Sequence, residues 1–341
     1  MAETIKTIAD IAKLAGVSKS TVSRALNDNP LINEETRERI KAIAQEHQFE
    51  VHQGARCLSL NRSNTIALII PIAHKPEEHL ITDPFFVELL RGIMYGISGL
   101  EYDLLIVQPR KHNPQEIQRY IGSKRADGLI ILGCHWYIKQ ISALNEQQNF
   151  PMIVWGGSPG QNICSVDCDN VTGGRLAVGH LLKLGRKRIA FIGGTPDESE
   201  VIARYQGYIK ELQNAGFEID PKLVAYGDYT SRTGYEQMQK LLQHVPDIDG
   251  VFACSDLMAI GVMEALREQG RQVPRDVSVV GFDDIPLAEY CSPPLTTVRQ
   301  NIAKAGEVLV RNLVQYLTDG IITRTILPVE LVVRKSSAVE A

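Results

Sequence analysis

The chain has 341 residues, of which 44% are hydrophobic and 22% charged, and its formal net charge is −4. These values are ordinary for a soluble globular protein, and the length predicts two or three compact units. No apolar run approaches the roughly 18 residues of a membrane helix, and residues 1–6 lack the apolar core of an export signal. We therefore expect a cytoplasmic protein with no membrane partner.

Sequence motifs give little support for an enzyme or a metal centre. The cysteines form no CxxC pair, and Cys164 and Cys168, four residues apart, have no second ligand pair, which favours buried thiols in a reducing compartment. No dinucleotide loop or phosphate loop follows a predicted strand, and HExxH is absent. We expect no enzymatic activity, no metal and no cofactor.

Residues 1–50 have the pattern of three short helices. Thr7 and Asp10 form a capping box, Gly16 ends the first helix, and Ser18 and Asn33 can cap the second and third. Apolar residues recur at helical spacing in all three: Ile8, Ile11, Ala12 and Ala15; Val22, Ala25 and Leu26; Ile40, Ile43 and Ala44. Two short helices joined by a glycine-containing turn and braced by a third predict a helix-turn-helix DNA-binding domain.

A polar connector spans residues 51–64, and from Thr65 apolar runs alternate with amphipathic stretches. The predicted strands are Ile66–Pro71, Asp103–Gln108, Gly128–Leu132, Met152–Trp155, Arg188–Ile192, Leu223–Tyr226, Gly250–Ala253 and Val277–Gly281. Predicted helices between them are Phe85–Gly99, Gly174–Leu184, Ala203–Asn214, Gly234–Gln243 and Leu257–Glu268. This alternation predicts an α/β fold with parallel sheets covered on both faces. A Gly- and Ser-rich break near Trp155–Asp169 suggests that residues 65–341 form two similar lobes.

The sequence TIADIAKLAGVSKSTVSRALN, from Thr7 to Asn27, closely resembles the headpiece signature of the LacI/GalR family of bacterial transcription regulators. Similar motifs follow in the family's order: Asp83–Phe86, Ala126–Ile130, Asp169–Asn170, Arg204 with Gly207 and Tyr208, Ser255–Gly261, Val279–Asp284 and Pro294–Val298. The resemblance implies a two-lobed core like periplasmic sugar-binding proteins and a small effector held between the lobes. It also implies that a dimer binds double-stranded DNA at a near-palindromic operator. No leucine-heptad tail follows Val333, so we expect a homodimer.

For the DNA-binding end, the resemblance implies contacts from Thr7, Ser18, Lys19, Ser20, Thr21, Ser23, Arg24 and Asn27. Lys19 and Ser20 occupy the positions that vary with operator sequence, so we assign them base choice, and Thr21 and Ser23 hold phosphates. The alternative is that these are solvated polar residues of an ordinary small helix. The formal net charge does not favour DNA binding, although residues 1–27 carry four basic and two acidic residues.

The connector departs from the family pattern. Ala55 and Leu58 match the family's hinge helix, where the leucine would wedge into the minor groove. Val51 replaces the usual proline, and Gly54 lies inside the supposed helix, where glycine costs about 1 kcal/mol relative to alanine. A flexible linker therefore remains the alternative to a hinge helix.

For the sensing end, the implied effector-binding residues are Asp83, Phe86, Arg204, Tyr229, Ser255 and Asp283. Arg204 and Asp283 would clamp hydroxyl groups, and Tyr229 would stack on a sugar ring. The alternatives are a surface ion pair for Arg204, core packing for Tyr229 and a structural cap for Asp283. We expect a saccharide-responsive transcription regulator, acting as a repressor. A purine- or phosphometabolite-responsive regulator, or a sugar-binding protein without DNA function, are the other candidates.

Overall fold

The computed structural model describes residues 7–49, 62–70, 83–109, 115–132, 140, 143, 150–156 and 163–338. The chain divides into two compact units, Met1–Ser63 and Asn64–Ala341. None of the helices in these ranges is long and apolar enough to cross a membrane.

The N-terminal unit consists of the helices α1 (Ile8–Ala15), α2 (Lys19–Leu26) and α3 (Glu34–Glu46). The Thr7–Asp10 capping box starts α1, and Gly16 ends it in the left-handed region with a φ of 64°. Ile11, Val22, Ala25 and Ile40 are fully buried, so each helix contributes its apolar stripe to one small core. The predicted helix-turn-helix is confirmed.

The first lobe of the second unit is built on a six-stranded parallel sheet. Its strands are β1 (Thr65–Ile69), β2 (Asp103–Val107), β3 (Gly128–Ile131), β4 (Met152–Trp155), β5 (Cys164–Cys168) and β11 (Arg324–Leu327), in the spatial order β11-β5-β4-β3-β1-β2. The helices α4 (Pro84–Ile97) and α11 (Ile302–Asp319) pack against each other, and α11 covers β3, β4 and β5. A further helix, α5 (Gln115–Gly122), contributes Ile117 to the core on the other face.

The second lobe has a sheet of the same size. It contains β6 (Ile189–Gly193), β7 (Val224–Tyr226), β8 (Gly250–Ala253), β9 (Ser278–Asp283), β10 (Thr296–Gln300) and β12 (Val329–Val332), in the order β12-β10-β9-β8-β6-β7. Only β12 is antiparallel to its neighbour among these strands. The helices are α6 (Asn170–Lys183) with α7 (Ser199–Asn214) as one packed pair, α8 (Ser231–His244) with α9 (Asp256–Glu268) as another, and the short α10 (Leu287–Tyr290). Two α/β lobes with largely parallel sheets confirm the predicted fold class.

The described chain passes between the lobes three times. The first crossover joins Cys168 of β5 to Asn170 of α6, the second joins Gln300 of β10 to Ile302 of α11, and the third joins Leu327 of β11 to Val329 of β12. Each connection has a single residue between the two elements. Since ligands in open parallel sheets bind beyond the carboxyl ends of the strands, residues at the ends of β5, β9 and β10 lie where a cleft site is expected.

The structure adds elements that the sequence pattern did not indicate. Cys164–Cys168 lies inside the segment interpreted as a break between lobes, yet it is a strand of the first sheet, and the change of lobe follows it. No strand was predicted after Gly281, whereas β10, β11 and β12 follow, with α11 between the first two. The C-terminal part of the chain therefore completes both sheets.

Candidate functional site

The outward face of α2 carries the polar side chains proposed for base contact. Val22 and Ala25 are fully buried against the other two helices, whereas Lys19, Ser20 and Arg24 are exposed. Ser18 caps the helix by accepting a hydrogen bond from the Thr21 backbone N–H at 3.1 Å. The start of this helix therefore presents short polar and basic groups to solvent, as a recognition helix must.

Several of the other proposed DNA contacts have intramolecular partners. The Asn27 side-chain amide donates to the backbone carbonyl of Ser23 at 2.8 Å, and the Thr7 hydroxyl donates to the Asp10 carboxylate at 2.8 Å. The hydroxyl groups of Ser18 and Thr21 are also hydrogen-bonded, at 2.8 Å. Thr21 and Ser23 are half-buried. The hydrogen bonds of Thr7, Ser18 and Asn27 stabilise the ends of α1 and α2 within the protein itself.

The hinge predictions cannot be compared with the structure. Val51, Gly54, Ala55 and Leu58 all lie outside the described residues.

Arg204 lies at the centre of the second lobe's polar cluster and is not a surface residue. Its side chain is 4% exposed; Nε donates to Asn170 Oδ1 at 2.8 Å, and a second guanidinium nitrogen donates to the carbonyl of Cys254. The guanidinium carbon lies 3.7 Å from the centroid of the Phe282 ring. Burial alone would lower the pKa of Arg204, but the neighbouring acidic groups, Asp283 foremost among them, together raise it by more than burial lowers it, so the arginine stays charged. Arg204 is thus a buried, fixed cation.

Asp283 ends β9 and faces the same cluster. Its side chain is 7% exposed and accepts a hydrogen bond from the Gln300 amide at 2.5 Å. Burial raises the pKa of Asp283, the Arg204 charge lowers it, and the Asp83 carboxylate raises it further. Because Asp83 belongs to the first lobe, the two carboxylates lie close enough to repel each other from opposite sides of the cleft.

On the first-lobe side, Asp83 and Phe86 lie at the start of α4. The Asp83 carboxylate accepts a hydrogen bond from the Phe85 N–H at 2.9 Å and caps the helix, and burial raises its pKa. Phe86 contacts Phe85 edge-on at 5.2 Å between ring centroids, and Phe85 in turn lies 5.8 Å from Trp155. Asp83 therefore combines a capping role with proximity to Asp283, while Phe86 belongs to an aromatic cluster at the lobe edge.

Tyr229 and Ser255 also have structural partners. The Tyr229 ring packs directly on Gly194, leaving no room for a side chain there, and Tyr229 itself has a φ of 67°. Its hydroxyl donates to the Glu198 carboxylate. The Ser255 hydroxyl accepts the Met258 N–H at 3.3 Å as the N-cap of α9. Tyr229 therefore joins the polar cluster by its hydrogen bond to Glu198, whereas the Ser255 hydroxyl is occupied in capping α9.

Four further polar residues complete the cluster and were not identified from the sequence. Asn170, at the first crossover, donates to Asp167 of β5 at 3.0 Å while accepting from Arg204. Burial, followed by the charge of Glu200, raises the pKa of Asp167. Burial, followed by the same Glu200 charge, raises the pKa of Glu198 to about 7. Glu200 also reaches the first lobe, since a side chain at Gly156 would collide with its carboxylate. The available signal was the cluster of acidic residues just before Arg204.

Neither a metal site nor a hydrolase site emerges from the described residues. No group of three or more His, Cys, Asp and Glu side chains in these ranges could hold a metal ion. The segment Gly156–Gly160 does have the GxSxG spacing of a nucleophile elbow, contrary to our expectation that catalytic motifs are lacking. Residues 157–162, which contain most of this motif, lie outside the described residues, and the next described element is the strand β5.

Comparison with known proteins identifies the two units. Residues 7–50 match the family of bacterial regulatory proteins known as the lacI family, and residues 178–337 match the periplasmic binding protein-like domain. The chain is 34% identical over 336 residues to the HTH-type transcriptional regulator CelR of Thermobifida fusca, covering 97% of this chain and 98% of that protein.

Solved structures agree over nearly the whole chain. A complex of the transcriptional regulator CelR with cellobiose is 32% identical with a TM-score of 0.75, covering 98% of this chain and 100% of the other. The lac repressor dimer bound to operator and the anti-inducer ONPF is 26% identical with a TM-score of 0.84, covering 98% and 99%. The chain therefore belongs to the lacI family of bacterial regulatory proteins and is a DNA-binding transcription regulator, not an enzyme.

Proposed function

We propose that this regulator is a repressor whose affinity for its operator changes when a saccharide binds between the two lobes. The observation that carries the proposal is the buried pair of Arg204 and Asp283, which shares one cleft with Asp83 from the opposite lobe. Fixed charges of both signs suit a ligand whose hydroxyl groups donate and accept hydrogen bonds together. The similarity to a cellobiose-bound regulator supports the same ligand class.

The charge balance of the cleft favours a neutral ligand over a phosphorylated one. Among the described residues of the cleft, Arg204 is accompanied by a connected set of five carboxyl groups: Asp83, Asp167, Glu198, Glu200 and Asp283. The ionised members of this set would repel an added phosphate, whereas a carboxyl group accepts a hydrogen bond from a sugar hydroxyl in either protonation state. We therefore prefer a saccharide to a phosphometabolite, the alternative that the sequence left open.

The DNA-binding residues that we propose lie on the exposed face of α2. Lys19 and Ser20 would choose bases, and Arg24 would contact bases or backbone. Ser23 and Thr21 would hold phosphates, Thr21 after giving up its hydrogen bond to Ser18. Thr7, Ser18 and Asn27, with Ala55 and Leu58 of the hinge, complete the proposed contact set.

A homodimer fits an exposed apolar stripe on α4. Val87, Met94 and Tyr95 are 49%, 60% and 72% exposed, and they recur at helical spacing on one face. Ile106 on the edge strand β2 is also exposed. We propose that a second copy of this chain covers the stripe, in keeping with the dimeric lac repressor on its operator.

Selection of binding sites from random duplexes tests the DNA function. We expect an enriched near-palindrome, because a symmetric dimer contacts two half-sites. Exchanging both Lys19 and Ser20 for other polar residues should change the preferred bases while the dependence of affinity on salt stays similar, since that dependence comes from phosphate contacts. Glu211→Gln, outside the headpiece, is the control. Selection that returns no enriched sequence from the wild type would refute sequence-specific binding.

A further inference from the structure

The turn that carries Asp283 has an unusual backbone. Asp283 and the next residue, Asp284, both have positive φ, 115° and 58°, although neither is glycine. Side-chain-bearing residues persist in this region only where the surrounding structure holds them. Contacts from neighbouring residues are therefore needed to hold Asp283 and Asp284 at positive φ.

The Asp284 carboxylate supplies that restraint through two arginines. One oxygen accepts from Arg299 Nε at 2.6 Å and the other from the Arg334 guanidinium at 2.7 Å. The Asp284 and Arg334 side chains are only 8% and 16% exposed, so solvent weakens their ion pair little, whereas Arg299 is 43% exposed and its pair with Asp284 is more strongly screened. Arg334 also donates to the carbonyl of Leu295 at 2.8 Å, and Arg299 to Glu330 at 2.8 Å.

Both arginines belong to segments that lead into or out of a crossover. Arg299 lies on β10, one residue before the second crossover begins at Gln300. Arg334 follows β12, the strand that the third crossover enters. The bridge thus ties the Asp283 turn to two of the three connections between the lobes.

We propose that Asp284 is a positioning residue: its bridge to Arg299 and Arg334 fixes the left-handed turn that directs the Asp283 carboxylate into the effector cleft. This rests on the proposed function in one respect, namely that Asp283 binds the effector. Asp284 itself contacts Arg299 and Arg334 and needs no contact with the ligand. The ion bridge, and not the backbone preference of residue 284, provides the restraint.

Two substitutions separate the bridge from the backbone. Asp284→Gly removes the carboxylate while accepting positive φ freely, and Asp284→Asn removes the charge with a residue that also tolerates this region. The matched control is Glu211→Gln, which breaks the Arg175–Glu211 ion pair of 3.1 Å elsewhere in the second lobe. All variants are made in the full chain.

Hydrogen exchange without ligand is the first measurement. In Asp284→Gly and Asp284→Asn, we expect amides of residues 281–287 to exchange about tenfold faster, with β6 and β8 unchanged, because only the turn loses its restraint. Glu211→Gln should leave this segment as in the wild type. Wild-type exchange in Asp284→Gly, or faster exchange throughout the lobe, would overturn the proposal.

Calorimetric titration with cellobiose is the second measurement. Both Asp284 variants should bind about tenfold more weakly, while operator binding without sugar stays unchanged, because a displaced charged partner weakens only the cleft contact. In an Asp283→Ala background, Asp284→Gly should weaken cellobiose binding no further, a result that a general loss of stability would not produce.

An additive loss of cellobiose affinity in the double variant would contradict positioning through Asp283. If Asp283→Ala itself has no effect, the effector assignment fails, and if cellobiose does not bind the wild type, the exchange measurement decides the role of Asp284.

Discussion

At the level of single residues, the cleft is defined by charges that are buried together. Two of the five Arg204 donors bond to Asn170 and Cys254, so its charge is held in place before any ligand arrives. Asp283 has a hydrogen bond from Gln300 and retains further acceptor capacity. A ligand hydroxyl that donates to Asp283 and accepts near Arg204 would complete the arrangement.

Asp283→Asn should abolish the response to sugar while leaving operator binding intact. The substitution removes a charged hydrogen-bond partner, and losses of this kind are roughly 2–5 kcal/mol. Calorimetric titration measures the sugar affinity, and operator titration without sugar is the control. Equal sugar affinity in the variant and the wild type would place the effector elsewhere.

The half-buried Glu198 makes the ligand-free protein sensitive to pH. Burial raises the pKa of Glu198 from 4.5 to about 7, so folding favours its neutral form. The resulting stabilisation is complete below pH 4.5 and is lost as the pH rises through 7, by roughly 1–3 kcal/mol. The thermal midpoint should therefore fall over this range, and less so in Glu198→Gln.

The control for this prediction is Glu236→Gln, which replaces an exposed carboxylate of α8. It should keep the wild-type pH dependence. An unchanged pH dependence in Glu198→Gln would mean that the Glu198 carboxyl is not held neutral.

At the scale of residues, prediction of the cleft from sequence depended on the family resemblance. Arg204 and Asp283 were identified through the family resemblance, and both are buried in the cluster. Asp167, Glu198 and Glu200 were not, because a carboxylate in an ordinary polar stretch gives no sign of burial. Only the fold brings β5 of one lobe and α7 of the other to the same cleft.

At the level of elements, three helix pairs share one packing device. In each pair, a glycine on either helix meets the backbone of its partner: Gly92 with Gly306 in α4 and α11, Gly174 with Gly207 in α6 and α7, and Gly234 with Gly261 in α8 and α9. Missing side chains let the helices approach closely on the sheet faces. The same construction in both lobes gives each sheet a rigid cover.

Gly261→Ala should destabilise the core unit. Its added methyl group would collide with the backbone carbonyl of Ser231, and overpacking of this kind typically costs about 1–3 kcal/mol. Gly122→Ala is the matched control, since the same methyl group at the end of α5 meets open space. Thermal unfolding compares the two. Equal midpoints would mean that the α8–α9 pair adjusts without strain.

Elements were predictable where hydrophobic periodicity is strong and local. Met152–Trp155 and Gly250–Ala253 were predicted with the observed bounds, because continuous apolar runs mark buried parallel strands. Cys164–Cys168 was missed because polar Ser165 and Asp167 interrupt it in a Gly- and Ser-rich region. The strand forms because β4 and β11 flank it, and that pairing is not visible from local sequence.

At the level of the whole molecule, regulation requires that the ligand prefer one arrangement of the lobes. The three short crossovers allow the lobes to change their relation through a few backbone angles, as hinge motions do. A ligand that contacts Asp83 of the first lobe and also Arg204 and Asp283 of the second would bind more tightly to the lobe arrangement that allows all of these contacts at once. The two-lobed fold was predictable from strand and helix alternation, but the repeated crossings were not, since they depend on pairing between distant segments.

Titration of the selected operator with and without a bound saccharide tests the central claim most directly. Mono- and disaccharides that raise the thermal midpoint, cellobiose included, are each added at saturation, and phosphorylated sugars serve as the comparison. We predict that a neutral saccharide changes operator affinity about 5- to 150-fold, the usual range of allosteric coupling, and that Arg204→Ala removes this change. Operator affinity that no saccharide alters, combined with a response to a phosphorylated metabolite, would contradict the account.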